Sequence, residues 1–408
     1  MTHSLLKLLT FYICCILCIS CSNATDECRY FVIHRDIPQS SQLDETFLTE
    51  ITKALGSPQD ENLRLGVSIV ISILNDKPDE QVAKLKKILH LSEKTNIPIY
   101  INIDGQNWVD GRPDLWNWWD SEAPGYNPEN RNNVEWYDWS ADAAVKICWR
   151  DWGRQLRVRP PLNIFAPKVV EAHREGFDRL LPILKDWVDA LPEEKKHLFI
   201  GLHIGWEAGF NYNAYHYKGG NKLYEKHPNT EEFDPKRTTI DVLDPISNME
   251  VLGYSAATTL GIKREGKLTL EDFESMTHRY LEMWCKHAAS YGFTQEQIFT
   301  HLGGNYEPFE RHYRYWPAIN DYSTPGWSFY SVNPHTAGSL DSDMAKAGRN
   351  RWAATEWLWL DDKAENIYNN IQTTFSFRDC HMVVYYNWEG LSQNSEAQQA
   401  IRMLWENN

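Results

Sequence analysis

Residues 198–204 read LFIGLHI, a short apolar run that is followed closely by Glu207. A run of this length, rich in Leu, Ile and Phe, is typical of a parallel strand buried on both faces. Residues 352–355 form a second run of this kind, and Glu356 follows it directly. A carboxylate in such a place is costly to desolvate unless it has a partner or a chemical role. These two strand ends are therefore the first places to look for function.

Eight runs of this kind alternate with amphipathic segments along the chain. Strands are predicted at 29–34, 65–73, 98–103, 198–204, 298–302, 327–332, 352–355 and 382–386, and helices at 43–55, 79–94, 167–190, 269–291, 362–375 and 394–406. Eight strand–helix repeats predict an α/β fold, a (β/α)8 TIM barrel with long βα loops after strands three and four. The alternative is an open doubly wound sheet, but no GxGxxG motif opens a helix after any strand.

The composition of the 408 residues excludes several classes of partner. Lys and Arg number 41 against 56 Asp and Glu, which gives a formal charge of −15. Nucleic acids and anionic membrane surfaces require clustered positive charge, so neither is an expected partner. After residue 21 the chain has no CxxC motif, and it has no HExxH, calcium-loop or P-loop motif, so no metal and no cofactor is expected. Its 18 Trp supply flat apolar faces with one polar edge, which suit sugar rings.

Residues 1–21 are predicted to be an export signal that lies outside the fold. One Lys precedes an apolar run at 8–17, which is too short to span a bilayer. The end of the run resembles a bacterial lipoprotein signal, which implies acylation of Cys21 and a place in the cell envelope, at the outer membrane or facing the periplasm. A plain secretory signal is the alternative. Because no Pro/Ser/Gly-rich linker divides the rest, residues 22–408 are expected to form one catalytic barrel domain.

The strand ends carry a pair of carboxylates suited to chemistry on sugars. In a barrel the active site lies at the carboxyl ends of the strands, and strands four and seven face each other across it. Glu207 and Glu356 can therefore converge on one bond, as the two carboxylates of glycoside hydrolysis do. A buried ion pair with Arg is the alternative for each. Glu307 and Glu389 are rivals for the role, and Asp104 is better suited to binding hydroxyls.

This placement resembles the retaining glycosidases of the large barrel clan usually called clan A. The resemblance implies that Glu207 is the acid/base and Glu356 the nucleophile, and that Trp388 forms the floor of the pocket. The acid is expected in the more apolar or more acidic surroundings, because it must start protonated. The sequence departs from the clan at Trp206, where the clan usually has an Asn that binds the sugar 2-hydroxyl.

Other residues at strand ends and in the Trp-rich excursion at 105–166 are predicted to bind substrate. They are His34, Arg35, Asp104, Asn107, Trp108, Trp118, Trp119, Trp206, Asn305, Asn333, His335 and Trp388. Trp interleaved with Asp, Asn and Arg offers stacking faces beside hydroxyl binders. The alternative is a loop that packs its own Trp as a satellite core. At least one of Trp116, Trp118 and Trp119 is expected to be exposed at the mouth.

The sequence thus favours an exported glycoside hydrolase that acts on oligo- or polysaccharides by a retaining mechanism. An inverting enzyme could use the same pair with a wider separation of the carboxyls. A non-catalytic glycan-binding lipoprotein would also explain the Trp-rich loops, but it gives no reason for the two Glu. A lyase or isomerase acting on sugar acids would want a metal cluster or a Lys or Tyr base, and the strand ends offer neither. A membrane is expected as a partner only through the anchor at Cys21.

Overall fold

A closed barrel of eight parallel strands forms the centre of the protein. The computed structural model describes residues 28–58, 62–146, 148–151, 155–210, 214–217, 249–250, 252–303 and 314–407. The barrel strands are Arg29–His34, Leu63–Ser72, Ile99–Asp104, Phe199–Ala208, Ile298–Leu302, Gly326–Tyr330, Arg351–Leu358 and Asp379–Tyr385. Each pairs with the next in chain order, and the eighth closes on the first. The predicted TIM barrel is confirmed.

Helices follow the strands and cover the outside of the barrel. The longer ones are Thr46–Leu55, Pro78–Thr95, Pro167–Ala190, Leu270–Ser290, Ala364–Ser376 and Ser395–Glu406, and all six were predicted within a few residues. Shorter helices, which were not predicted, are Pro113–Trp116, Tyr254–Leu260, Leu340–Lys346 and Trp388–Leu391. Local signals determine where helices begin: a proline begins the helix at Pro167, and Thr269 and Asp272 form a capping box at the start of helix Leu270–Ser290. Among the described helices, none combines the length and the apolar character needed to cross a bilayer.

The hydrophobic core has one layer outside the barrel and one inside it. The outer layer joins the outward faces of the strands to the helices. The inner layer consists of Tyr30, Val32, Tyr100, Ile200, Phe299, Ala353, Met382 and Val384. Strands four and five also bury two histidines, His203 and His301, whose rings lie 4.9 Å apart. The barrel interior is therefore partly polar.

The long excursions after strands three and four contribute a small antiparallel sheet that was not predicted. Its strands, in spatial order, are Gln155–Val158, Cys148–Asp151, Ala214–Tyr217 and Met249–Glu250. Each has four residues or fewer, so none shows the alternation over several residues by which a strand is predicted. The sheet joins the two excursions to each other.

The excursion after strand three also carries a buried carboxyl group. Glu135 is 1% exposed, and the backbone N–H of Ala256, in the first turn of helix Tyr254–Leu260, donates to its Oε2 atom over 3.5 Å. Burial raises the pKa of Glu135 to about 8, against the opposing effect of nearby backbone N–H groups. Glu135 is therefore protonated at neutral pH in the folded chain and ionised in the unfolded chain.

We expect the contribution of Glu135 to stability to fall as the pH rises from 4.5 to about 8, because the folded chain there holds a proton that the unfolded chain has lost. The loss is about 1.4 kcal/mol per pH unit within this window. Glu135→Gln cannot ionise, so urea unfolding at a series of pH values should give it a flatter profile than the wild type. The exposed Glu129 supplies the control Glu129→Gln, which should follow the wild type. A Glu135→Gln profile as steep as the wild type would contradict this assignment.

Candidate active site

Glu207 and Glu356 lie within strands four and seven, not directly after them as predicted. Strand four extends to Ala208 and strand seven to Leu358. The pairing of strand four with strand five shifts between Ile204 and Ala208, and in that interval Glu207 has a φ of 49°. Left-handed backbone is unfavourable for a residue with a side chain and persists only where the surroundings enforce it. Such strain often marks a functional site.

Glu356 is a buried carboxyl group with a dedicated donor. Glu356 is 5% exposed, and the indole Nε1 of Trp206 donates a hydrogen bond to its Oε2 atom over 2.7 Å. The imidazole Nε2 of His301 lies 3.9 Å from the same oxygen. An indole N–H can only donate, so this contact favours the ionised carboxylate.

A serine and a histidine connect the two carboxyl groups. Ser328 lies opposite Glu356 in the register between strands six and seven. The Ser328 hydroxyl donates to Oε1 of Glu207 over 3.5 Å and lies 2.7 Å from Nε2 of His301. His301 in turn approaches Glu356. Four strands of the barrel thus place these side chains in one cluster at its carboxyl end.

The surroundings of Glu207 and Glu356 differ from those expected if Glu207 is the acid. Burial, and next the charge of Glu207, raise the pKa of Glu356 well above its usual value, while the hydrogen bond from Trp206 lowers it. Glu207 is only half-buried. The more apolar surroundings therefore belong to Glu356 and not, as predicted, to Glu207, because Glu207 lies nearer the solvent-facing end of its strand. Two carboxyls coupled in this way lose their protons in two separate steps, so the pair holds one proton over a range of pH.

Aromatic rings surround the pair at the barrel mouth. The ring of His34 stacks on that of Tyr386 at 5.4 Å and lies 5.3 Å from that of Trp206. Burial, and after it the charges of Glu356, Asp36 and Glu207, raise the pKa of the Tyr386 hydroxyl. The structure thus places two of the predicted binding residues, His34 and Trp206, beside the carboxylates.

The loop after strand three supports this arrangement from the side. Asp104 is fully buried and accepts hydrogen bonds from the backbone N–H groups of Gln106 and Asn107. The Asn107 amide donates to the backbone carbonyl of Trp206 over 2.7 Å. Both residues therefore hold the loop against strand four. Trp108 follows in the same loop and is half-buried.

Arg35 and Trp388, which were predicted to bind substrate, make contacts near helix Thr46–Leu55. Arg35 donates to the backbone carbonyl of Phe47 and, over 2.7 Å, to Glu50 on that helix. Its guanidinium also lies over the indole ring of Trp388 at 5.7 Å, and Trp388 is 5% exposed. The substrate-binding role of Arg35 and the role of Trp388 as the pocket floor therefore stay predictions, with both side chains engaged in these contacts. A strand end fixes where a residue sits but not the direction of its side chain.

Two further predicted binding residues, Asn333 and His335, make contacts away from the carboxylates, since strand six is shorter than expected. It ends at Tyr330, and the chain then turns away from the mouth. Asn333 accepts a hydrogen bond from the backbone N–H of His335, as the cap of a short 3₁₀ turn. His335 contacts Ser376 and the ring of Phe377, which precede strand eight at its amino end. Neither side chain is placed beside the carboxylates.

The Trp-rich excursion combines the two alternatives left open by the sequence. Trp116 is buried and donates to a backbone carbonyl within the loop. Trp118 and Trp119 pack against the core but remain half-buried, with Lys146 over the ring of Trp118. Much of this loop therefore packs its Trp onto the main core and does not form a separate satellite core. None of the three Trp is exposed, as at least one was expected to be, but Trp118 and Trp119 keep part of their surface accessible.

The rival carboxylates take no part in the cluster where the structure describes them. Glu389 is exposed in the short helix Trp388–Leu391. Asp104 is engaged with its own loop. Glu307 and the predicted binding residue Asn305 lie outside the described residues, as does Cys21. Within the described ranges, no group of three His, Cys, Asp or Glu is placed to hold a metal ion.

Sequence reasoning missed three members of the cluster. Ser328 and His301 lie inside apolar strands and look like core positions, and Tyr386 directly follows strand eight. Alternation within the strand was the available signal for Ser328, because residues two apart face the same side. Only the register with strand seven shows that this side is the one that Glu356 occupies.

Comparisons with known proteins find likenesses in structure alone. No protein-family model matches the chain, and no curated protein matches it in sequence. GH26A from a Muricauda species is 12% identical with a TM-score of 0.43, and covers 92% of this chain and 88% of its own. A GH26 β-mannanase from Bacteroides ovatus is 10% identical with a TM-score of 0.43, covering 94% and 88%. An endo-β-1,4-mannanase from Cellulomonas fimi is 10% identical with a TM-score of 0.40, covering 92% and 71%. Likenesses of this size carry no argument about activity, and the barrel assignment rests on the strand pairing.

Proposed function

We propose that the protein is a glycoside hydrolase that cleaves its substrate by a two-carboxylate retaining mechanism. One observation carries the proposal: carboxyl groups from strands four and seven meet at the carboxyl end of the barrel, where they are coupled electrostatically and linked through His301 and Ser328. A non-catalytic glycan-binding protein has no use for two like charges held in this way, because their repulsion is unfavourable.

The first chemical step forms a glycosyl-enzyme. Glu207 donates its proton to the glycosidic oxygen as the bond between that oxygen and the anomeric carbon breaks. A carboxylate oxygen of Glu356 forms the new bond to the anomeric carbon. In the second step Glu207, now ionised, takes a proton from water as the water oxygen attacks the anomeric carbon and releases Glu356. Two inversions give net retention of configuration.

The raised pKa of Glu356 speaks against this division of roles, but two other features support it. Trp206 donates to Glu356, which favours the negative charge on that carboxyl when the pair holds one proton. Glu356 is also buried and held in place, as suits a nucleophile that must meet one carbon atom. Glu207 is half-buried, so it can regain a proton from solvent after each turnover and can approach a water molecule.

A panel of aryl glycosides tests the proposed function. The purified protein should release the aryl group from at least one sugar, and proton NMR at early times should show a product with the anomeric configuration of the substrate. A product of inverted configuration would mean that the protein is a glycosidase with an inverting mechanism, in which a carboxylate activates water and does not act as the nucleophile. If the protein releases no aryl group from any sugar of the panel and cleaves no oligo- or polysaccharide, the proposal is wrong.

Trp206 supplies a test of the charge on Glu356. Trp206→Phe removes the indole donor and keeps an aromatic ring, so the pKa of Glu356 should rise. The nucleophile is active above its pKa, so the acidic limb of the pH profile of kcat/KM should move upward. A hydrogen bond to a charged group is worth about 1.5–3 kcal/mol, which corresponds to a shift of about 1–2 pH units.

The control for this variant is Trp139→Phe. The indole of Trp139 also donates to a single acceptor, the backbone carbonyl of Gly266 over 2.7 Å, in the loop region and not to a carboxylate. Its pH profile should match that of the wild type. An unchanged acidic limb in Trp206→Phe would show that the indole does not set the charge of the nucleophile.

The proposal extends to the place of action. The signal-like residues 1–21 support export, and the pattern at Cys21 supports a lipid anchor in the cell envelope. Oligo- or polysaccharides outside the cytoplasm are then the substrates.

A further inference from the structure

The buried imidazole of His301 lies next to Glu356 and is linked to Glu207 through Ser328. His301 is fully buried, and its Nε2 atom is 2.7 Å from the Ser328 hydroxyl and 3.9 Å from Oε2 of Glu356. Burial lowers the pKa of His301 to about 3, so the ring is neutral at any ordinary pH. A neutral imidazole carries one proton, on one of its two nitrogens.

The surroundings of His301 determine which nitrogen that is. Its Nδ1 atom is buried and has no hydrogen-bond partner among the described residues. A buried N–H without an acceptor is rarer in folded proteins than an acceptor without a donor. The proton therefore belongs on Nε2, which donates it to the oxygen of Ser328. This leaves the serine proton free to point at Oε1 of Glu207, as the donor geometry of Ser328 allows.

We propose that His301 is a positioning residue that acts through Ser328 to direct the acid proton of Glu207 toward the substrate. The inference rests on the proposed function. A protonated carboxyl carries its proton on one oxygen only. Because Oε1 accepts from Ser328, the proton is favoured on the other oxygen, Oε2. The fixed direction from His301 to Ser328 to Glu207 then keeps that proton available to the leaving group in every turnover.

Leaving-group dependence of kcat/KM tests this role, because it separates proton donation from every other contribution. His301→Leu removes the donor, and Ser328→Ala removes the link. Each should lower kcat/KM for alkyl glycosides by about 10–100-fold, a part of the 10²–10⁴-fold that general acid catalysis supplies. Each should change kcat/KM for the dinitrophenyl glycoside of the same sugar by less than about 3-fold, since that leaving group needs no proton. His301→Gln keeps an N–H in the region of Nε2 and should recover most of the loss.

His381 supplies the matched control. It is also buried inside the barrel and neutral, with its pKa lowered by burial to about 3, and it packs against the rings of Tyr30 and Phe299. His381→Leu should lower thermal stability without changing the dependence on the leaving group. Equal losses on both substrates in His301→Leu and Ser328→Ala would overturn the inference while leaving the glycosidase in place. Absence of glycoside cleavage by the wild type would be a failure of the proposed function instead.

Discussion

Replacing Glu356 by Ala is expected to abolish turnover of every glycoside that the wild type cleaves, whatever the leaving group. No covalent intermediate can form without the nucleophile, and an activated leaving group does not compensate for its loss. The expected loss in kcat is on the order of 10⁴–10⁶-fold, by comparison with the removal of nucleophiles from other enzymes. Steady-state assays on aryl and alkyl glycosides measure it.

Added azide distinguishes a missing nucleophile from a damaged fold. In Glu356→Ala, azide can occupy the space of the lost carboxylate and should give a glycosyl azide of inverted configuration from a dinitrophenyl glycoside. The exposed Glu389 provides the companion variant Glu389→Ala, which should retain nearly full activity. Turnover by Glu356→Ala above about 1% of the wild-type rate, or inactivity of Glu389→Ala, would transfer the nucleophile role away from Glu356.

Replacing Glu207 by Ala should give losses that depend on the substrate. For alkyl glycosides kcat/KM should fall by about 10²–10⁴-fold, because the leaving oxygen receives no proton. For dinitrophenyl glycosides kcat/KM should be nearly unchanged, but kcat should fall, since the glycosyl-enzyme must now react with water without a base. Azide needs no base and should raise kcat, giving a glycosyl azide of retained configuration.

The two azide products make the role assignment testable in both directions. If Glu207→Ala gives the inverted azide and Glu356→Ala the retained one, the roles are reversed, in line with the greater burial and raised pKa of Glu356. If both variants keep near-wild-type rates on all substrates, the pair is structural. The two-carboxylate mechanism would then be wrong even if the protein cleaves glycosides.

The barrel could be predicted because its signal is local and repeated. Each strand is a short apolar run, each helix has an apolar face, and eight alternations leave few other folds. The pairing of Glu207 with Glu356 followed from the same reasoning, since strands four and seven face each other in any barrel of this kind. The structure places both carboxyls at one end, as the strand order requires.

Directions of side chains could not be predicted from position in the sequence. Arg35 and His335 follow strands, as Glu356 was expected to do, but Arg35 is engaged by Glu50 and His335 by Ser376. These partners are distant or come from helices whose packing is fixed only in three dimensions. A strand end is a necessary condition for a place in the cluster, not a sufficient one.

The residues that link the two carboxylates were missed because they were taken for core positions. Ser328 and His301 lie in strands that read as core, and their roles depend on the register between strands five, six and seven. A shift of one residue would turn each to the other face of the barrel. Register depends on how neighbouring strands pack, which no single segment specifies.

Trapping of the glycosyl-enzyme tests the central claim most directly. A 2-deoxy-2-fluoro dinitrophenyl glycoside of the sugar that the protein cleaves should inactivate it, because the fluorine slows release of the intermediate more than its formation. Peptide mass spectrometry should then find one sugar attached to Glu356, and none in Glu356→Ala. A label on any other residue, or cleavage of the natural substrate with inversion and no label, would contradict the retaining mechanism proposed here.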